Sequence, residues 1–403
     1  MPDAATKPYY LFIIVLAQFA GTSLWFAGNA VIGDLNNELA NPVNIATITS
    51  AVQFGFITGT LIFSFLHVAD KYKSTEVFLY SSVVAALANV LTVVVPMTGF
   101  SLLLLRFTTG FFIAGIYPVG MKIAADVFPT KMGHALGYLV GALVLGTAFP
   151  HLLRSQFASY SYSLIIIFTS VLAVAGGLLI YYFIPAKKAL TGFTFRSSTL
   201  YKLFKSAPFR SAAFGYFGHM WELYTLWAFI PIAIIHFNLL NNSSLPVSLL
   251  SFFMIAVGSI GCVTGGYVSQ KTGSKKVAVM ALIISGLCCL LSPLFFETSS
   301  VIFISFFLIW GFFVVADSPQ FSALVAATAP QENKGTALSL VVSIGFAITI
   351  VSLNVVERVS PEYFKYSFLL LAPGPVIGLL ALMKKRSLKS TVDISKIKDS
   401  IPV

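Results

Sequence analysis

The sequence predicts an all-α polytopic membrane protein: twelve transmembrane helices in two six-helix repeats. Three observations carry this. Of 403 residues, 57% are apolar and 10% charged, and the mean hydropathy is +0.90. A water-soluble domain holds about 45–50% apolar and about 25% charged residues. Long apolar runs recur from one end of the chain to the other, and the basic residues collect between alternate runs. With 38 Phe against 14 acidic residues, the chain cannot hide its apolar surface inside a soluble globule. A soluble enzyme, a secreted disulfide scaffold and a disordered regulator are excluded together.

Crossing a hydrocarbon core of about 30 Å takes roughly 20 apolar residues. Twelve stretches qualify, near 9–31, 45–68, 76–96, 100–125, 134–157, 162–184, 211–237, 247–269, 277–296, 301–327, 335–356 and 363–383. The first has an apolar run too long for a signal-peptide core and reads as a retained span. The runs are continuous rather than alternating, which excludes a strand barrel. With the N-terminus inside, Lys7, Lys71, Lys73, Lys122, Lys131, Lys271, Lys275, Lys276 and Lys334 all fall on cytoplasmic ends. The central loop and the basic tail join them, and only Arg106, Arg154, Arg358 and Lys365 lie elsewhere. The positive-inside rule then places both termini in the cytoplasm. It also accounts for the net charge of +11 without a nucleic-acid partner. Cys262, Cys288 and Cys289 lie in apolar segments with neither metal spacing nor a disulfide framework, and read as packing residues.

The stretch Pro185 to Arg210 has six basic and no acidic residues and divides the chain. The expected units are a first bundle over 1–184, a basic linker over 185–210, a second bundle over 211–384 and a tail over 385–403. An internal repeat supports them at an offset of 200–202. Ser23-Leu24-Trp25 matches Thr225-Leu226-Trp227, and Gly110-Phe111-Phe112 matches Gly311-Phe312-Phe313. Pro118 and Pro129 match Pro319 and Pro330.

The loop after the second span has a counterpart after the eighth. The latter reads Gly266-Tyr267-Val268-Ser269-Gln270-Lys271-Thr272-Gly273-Ser274-Lys275-Lys276, and the former keeps Asp70-Lys71 but neither glycine. Twelve spans in two parallel repeats with this doubled loop resemble the major facilitator superfamily, whose pattern at that place is G-x-x-x-D-[RK]-x-G-[RK]-[RK]. The resemblance implies that Asp70, Lys71, Gly266, Gln270, Lys271 and Gly273 form gating loops that latch and release the two halves. Glycine there supplies a positive φ, and Asp70 can accept from a neighbouring helix N-terminus.

Charges at membrane depth are costly, so each is informative. Glu222 lies about 18 Å along the seventh span from Arg210, near the midplane, with His219 one turn away on the same face. A proton-coupling role, a substrate contact and a structural hydrogen bond are all open to it. In the tenth span Trp310, Asp317 and Gln320 share a face, and Asp317 suits either proton coupling or a gate. Arg106-x-x-x-Gly110 resembles a superfamily pattern tied to proton movement, although snorkelling toward the outer surface is an alternative. Gln18, Thr22, Trp25 and Asn29 form one stripe on the first span, and Tyr117 lies on the face of Arg106. The resemblance implies that spans 1, 4, 7 and 10 line a central cavity. The expected substrate contacts are Trp25, Asn29, Arg106, Tyr117, His219, Tyr224, Trp227 and Gln320, with Glu222 and Asp317 for protons.

No phosphate-cradling glycine loop, H-E-x-x-H or G-x-S-x-G is present. The expectation is a non-enzymatic secondary transporter, monomeric and without cofactor or metal, in a plasma membrane (the bacterial inner membrane first). It would move a small polar organic solute, an anion among the candidates, by alternating access, coupled to protons. A drug or metabolite exporter and an uncoupled facilitator are the alternatives, with a membrane-embedded sensor or enzyme more remote. Drug–proton antiporters of the superfamily carry Gly-Pro in the fifth span. Here that stretch reads Ala148-Phe149-Pro150-His151, which weighs against export.

Overall fold

The computed structural model describes residues 7, 9–128, 132–185, 203–330 and 334–383. Among them all regular structure is helical. In chain order, α1 is Tyr9–Thr22, continued by Ala27–Ala30 and Ile32–Glu38; α2 is Ile45–Phe65 and α3 Ser74–Val94. Next, α4 is Gly99–Ile113 plus Tyr117–Val127, α5 Met132–Gln156 and α6 Ser163–Phe183. The second half holds α7 (Ala207–Asn241), α8 (Val247–Thr272), α9 (Ser274–Phe295) and α10 (Ser300–Ala316 plus Ser318–Thr328). It ends with α11 (Lys334–Glu357) and α12, a 3₁₀ stretch Pro361–Leu371 followed by Pro373–Met383. Eleven are long and apolar enough to cross a membrane, and α1 is apolar but has 14 residues before its break. Most of the expected linker (186–202), and the tail from 384, lie outside the described residues. The linker's end differs from expectation, because α7 begins at Ala207 and already contains Arg210, whose Nη1 donates to the carbonyls of Phe204 and Lys205 at 2.7 and 2.8 Å.

Where the sequence suggests straight spans, α1, α4, α10 and α12 are broken, and the breaks of α4 and α10 follow composition. Both α4 and α10 restart with Pro in their first turn, Pro118 and Pro319. Proline is tolerated there because it has no N–H to lose. Pro319 leaves the carbonyl of Val315 without its helical donor, and the Cys262 thiol of α8 donates to that oxygen at 3.3 Å. Cys262 therefore does more than fill space. The matching prolines make matching breaks, so the repeat is structural as well as sequential. It does not extend to the first helix of each half: α1 breaks after Thr22, whereas α7 runs 35 residues with Pro231 inside it.

The glycine pair of the repeat has one purpose. A Cβ on Gly110 would collide with the carbonyl of Val52 in α2, and one on Gly311 with that of Met254 in α8. The α2–α4 and α8–α10 pairs thus pack backbone to backbone in both halves, as small residues allow in membranes. Between halves, α5 lies against α8 and α2 against α11. At the face where α1 begins and α12 ends, the hydroxyls of Tyr138 and Tyr267 are 2.8 Å apart across the α5–α8 seam. At the opposite face, Glu357 Oε2 accepts from the Ala46 N–H at 3.1 Å, and Asn354 Nδ2 reaches Ser50 Oγ at 3.4 Å. On that face Glu297 also pairs with Lys365, whose ammonium holds the Glu297 carboxyl below the usual carboxylate range.

Candidate functional site

The break in α1 starts with side chains that compete for backbone. Thr22 Oγ1 donates to the Gln18 carbonyl at 2.8 Å and Ser23 Oγ to that of Ala20 at 2.7 Å. The carbonyls of Leu24 and Trp25 turn off the helix, and Arg106 Nη2 of α4 donates to both at 2.9 Å. Its Nη1 donates to Asn89 Oδ1 of α3 at 2.7 Å. Asn89 in turn donates through Nδ2 to Ser170 Oγ of α6 at 2.9 Å. Arg106 is fully buried and has no acidic partner among the described residues. It does not snorkel; it clasps α1, α3 and α4 together.

The unwound turn delivers Trp25 to the seam between the halves. Its ring stacks with Tyr224 of α7 at 5.5 Å and with Phe346 of α11 at 5.3 Å, and packs on Phe56 of α2 at 4.9 Å. Tyr224 continues to Trp227 at 5.1 Å, and Phe26 approaches His151 of α5 at 6.5 Å. The rings come from both halves, so any motion that parts the halves must part these faces. Thr49, Gln53, Phe56 and Thr60 recur at helical spacing on α2 and are all buried, and Phe56 packs on Phe346 as well as on Trp25. Thr49 accepts from Asn29 Nδ2 at 2.6 Å. The indole nitrogens of Trp25 and Trp227, both amide atoms of Gln53 and Asn29 Oδ1 are buried without a hydrogen-bond partner among the described residues. Buried polar atoms are normally satisfied, which makes this layer the candidate place for a polar ligand.

Two buried carboxylates lie behind it in the second half. Glu222 accepts from the Trp310 indole at 2.6 Å and Ser285 Oγ at 3.0 Å, and from the Cys289 thiol at 3.3 Å. All three donors are neutral. Asp317 occupies the joint of α10 and meets His219 Nδ1 at 2.9 Å. His219 and Glu222 do share a face of α7, as their spacing implies, but each serves a separate network.

Residues 10–353 match the family model of the Major Facilitator Superfamily. The chain belongs to that superfamily. It is accordingly a multi-pass membrane protein of a transporter family, as the fold expected from the sequence requires. No curated protein matches the sequence.

Within this superfamily chain, Asp70, Lys71 and Gln270 are tied inside their own halves, whereas Gly266 meets the other half. Asp70 pairs with Lys122 of α4, with His67 at 3.7 Å, and not with a helix N-terminus; the ammonium of Lys122 also donates to the Ala69 carbonyl. His67 takes a left-handed turn, φ 51°, in this copy, which has neither glycine of the pattern. Lys71 closes the one-turn helix Val68–Lys71. In the second copy Gly273 has φ +86°, as the turn demands, while Gly266 packs against Gly137 of α5. Gln270 donates back to the Gly266 carbonyl at 3.4 Å, and Lys271 lies exposed in the last turn of α8.

Of the expected substrate contacts, the structure brings Trp25, Tyr224 and Trp227 into one ring cluster, with Asn29 on its rim. Tyr117 and Gln320 are buried at the restarts of α4 and α10. Arg106, His219 and Glu222 are engaged in three distinct networks rather than converging. Trp221 of α7 lies apart from that cluster, its indole donating to the Leu370 carbonyl of α12 at 2.8 Å. Sequence reasoning missed Gln53, Phe56, Phe346, Asn89, Ser285 and Cys289. The polar spacing Thr49, Gln53, Thr60 on α2 was the one available signal.

Proposed function

We propose that this protein is a secondary active transporter that moves a small polar organic solute, an anion by preference, by alternating access coupled to protons. The solute binds at the seam, its apolar faces against Trp25, Tyr224 and Phe346 and its polar groups on Trp25 Nε1, Trp227 Nε1 and Gln53. Asn29, Tyr117, His219 and Gln320 border that path. Arg106 favours an anion because its charge is buried and uncompensated, and charge in a low-dielectric interior acts over distance. In the same reading the working unit is a single chain in a plasma membrane, and the face where α1 begins and α12 ends is cytoplasmic. The loops around Asp70–Lys71 and Gly266–Gly273 tighten and relax as that face closes and opens.

The observation that carries proton coupling is the shell of Glu222. An indole N–H only donates, so Oε1 is held as an acceptor by Trp310. A hydroxyl both donates and accepts, so Ser285 can face Oε2 whether that oxygen is bare or carries a proton. The site therefore accommodates both protonation states without repacking. Asp317, paired with His219, is the second exchange point, and solute entry beside it couples the two events.

Proteoliposome uptake of a panel of organic acids, with and without an imposed pH gradient, tests this. A solute whose accumulation follows the gradient in the native protein, and loses that dependence in Glu222→Gln, is the expected result. Accumulation that ignores the gradient and survives the substitution refutes the coupling.

A further inference from the structure

The two loop copies differ in how their cations are used. In the first, Lys73 pairs with Glu76 at 2.8 Å and Asp70 with Lys122. In the second, Lys275 and Lys276 are exposed and form no ion pair among the described residues. They stand with Thr272 at the rim of a groove of about 620 Å³. Below them Val279, Met280, Ile283 and Ile284 form its wall, one face of α9 at the spacing of successive turns. Met280 and Ile283 are 49% and 43% exposed, so the groove opens outward, toward lipid.

The dimensions match a lipid leaflet. From Lys276 to Ile284 the helix rises about 12 Å, against roughly 15 Å for half of the hydrocarbon core. The lysines stand at the face proposed as cytoplasmic, where anionic lipids concentrate. Gly273, at the N-cap of α9, offers no side-chain acceptor to the first turn, which adds partial positive charge beside the ammonium groups.

We propose that this groove binds one anionic glycerophospholipid, with its phosphate on Lys275 and Lys276 and an acyl chain along Val279, Met280, Ile283 and Ile284. Charge complementarity selects the headgroup, and the apolar wall requires the chain. Bound there, the lipid supplies to the second loop the counter-charge that Asp70 and Glu76 supply to the first. It is independent of the solute path, since the groove faces away from the seam.

The test is native mass spectrometry of the full-length protein in micelles, titrated with palmitoyl-oleoyl phosphatidylglycerol or the matching phosphatidylcholine. Phosphatidylglycerol should be retained selectively. Lys275→Gln and Lys276→Gln should each weaken it about fivefold and together about 25-fold. Ile283→Trp, which fills the groove, should weaken it with both lysines in place, and glycerol phosphate without a chain should not compete. Lys334→Gln, a cation of the same face outside the groove, should leave retention unchanged. Equal retention of the two lipids, wild-type affinity in the lysine variants, or an equal loss in Lys334→Gln would overturn the proposal. If the double variant fails to elute as a single species, the two single variants and Ile283→Trp decide the matter.

Discussion

Replacing Arg106 with Ala should loosen the first bundle while leaving the second intact. The guanidinium makes three charge-assisted bonds, at 2.7, 2.9 and 2.9 Å, to Asn89 Oδ1 and the carbonyls of Leu24 and Trp25. Removing it strands three buried acceptors, each costing about 1–3 kcal/mol. The loss is offset in part because a buried cation no longer needs to be desolvated, several kcal/mol in the opposite direction. We expect a net destabilisation of about 2–4 kcal/mol. Arg106→Lys keeps the charge but replaces a planar five-donor fork with one point charge, so it should recover only part of the loss. Thermal unfolding in detergent measures both, and a double-mutant cycle with Asn89→Ala isolates the shared bond. Coupled sites of this kind differ from additivity by about 0.5–3 kcal/mol. Equal stability of Arg106→Ala and wild type, or strict additivity with Asn89→Ala, would refute the clasp.

Gly110→Ala and Gly311→Ala should each cost about 1–3 kcal/mol in the same unfolding assay, because each forces apart two helices in carbonyl contact. A neutral result for either would remove the structural argument for the repeat. Trp310→Phe should cost about 1.5–3 kcal/mol through the lost bond to Glu222, and the cost should shrink in a Glu222→Gln background. Tyr138→Phe removes a bond worth about 0.5–1.5 kcal/mol across the α5–α8 seam. It should raise solvent labelling of a cysteine placed nearby on the same face, and unchanged labelling would count against a closing role. Lys365 lowers the folded-state affinity of Glu297 for protons, so the pair stabilises above the ordinary carboxylate value of 4.5 and that support disappears as pH falls below it. The difference in midpoint between wild type and Glu297→Gln should therefore narrow between neutral pH and pH about 3; a pH-independent difference would sink it.

Several site features were legible in the chain because they depend on local order. Pro118 and Pro319 were legible as a repeated pair, although not as breaks, since Pro231 lies inside α7 without interrupting it. Gly273 needs φ +86° and can be read from its loop. The paired glycines at 110 and 311 announce close packing because small residues serve little else in lipid. By contrast, Cys289 and Ser285 gave no sign of their role, because a thiol and a hydroxyl in an apolar helix gain meaning only from what faces them. Asn89 was silent for the same reason. The reading of Arg106 as free to meet solute or to snorkel failed to foresee the clasp, since its partners are carbonyls released by a break in another helix.

The sequence by itself determined the membrane class, the twelve spans, the duplication and the few charges at depth. Each follows from the free energy of placing a residue in hydrocarbon, which depends on the residue and its neighbours along the chain. Only the tertiary structure decided which way those charges point. Arg106 turns to α1, Glu222 to α9 and α10, and Asp317 to His219, because a buried polar group is stable only where a partner from another helix reaches it. That pairing is a property of the packed bundle, and no single span encodes it.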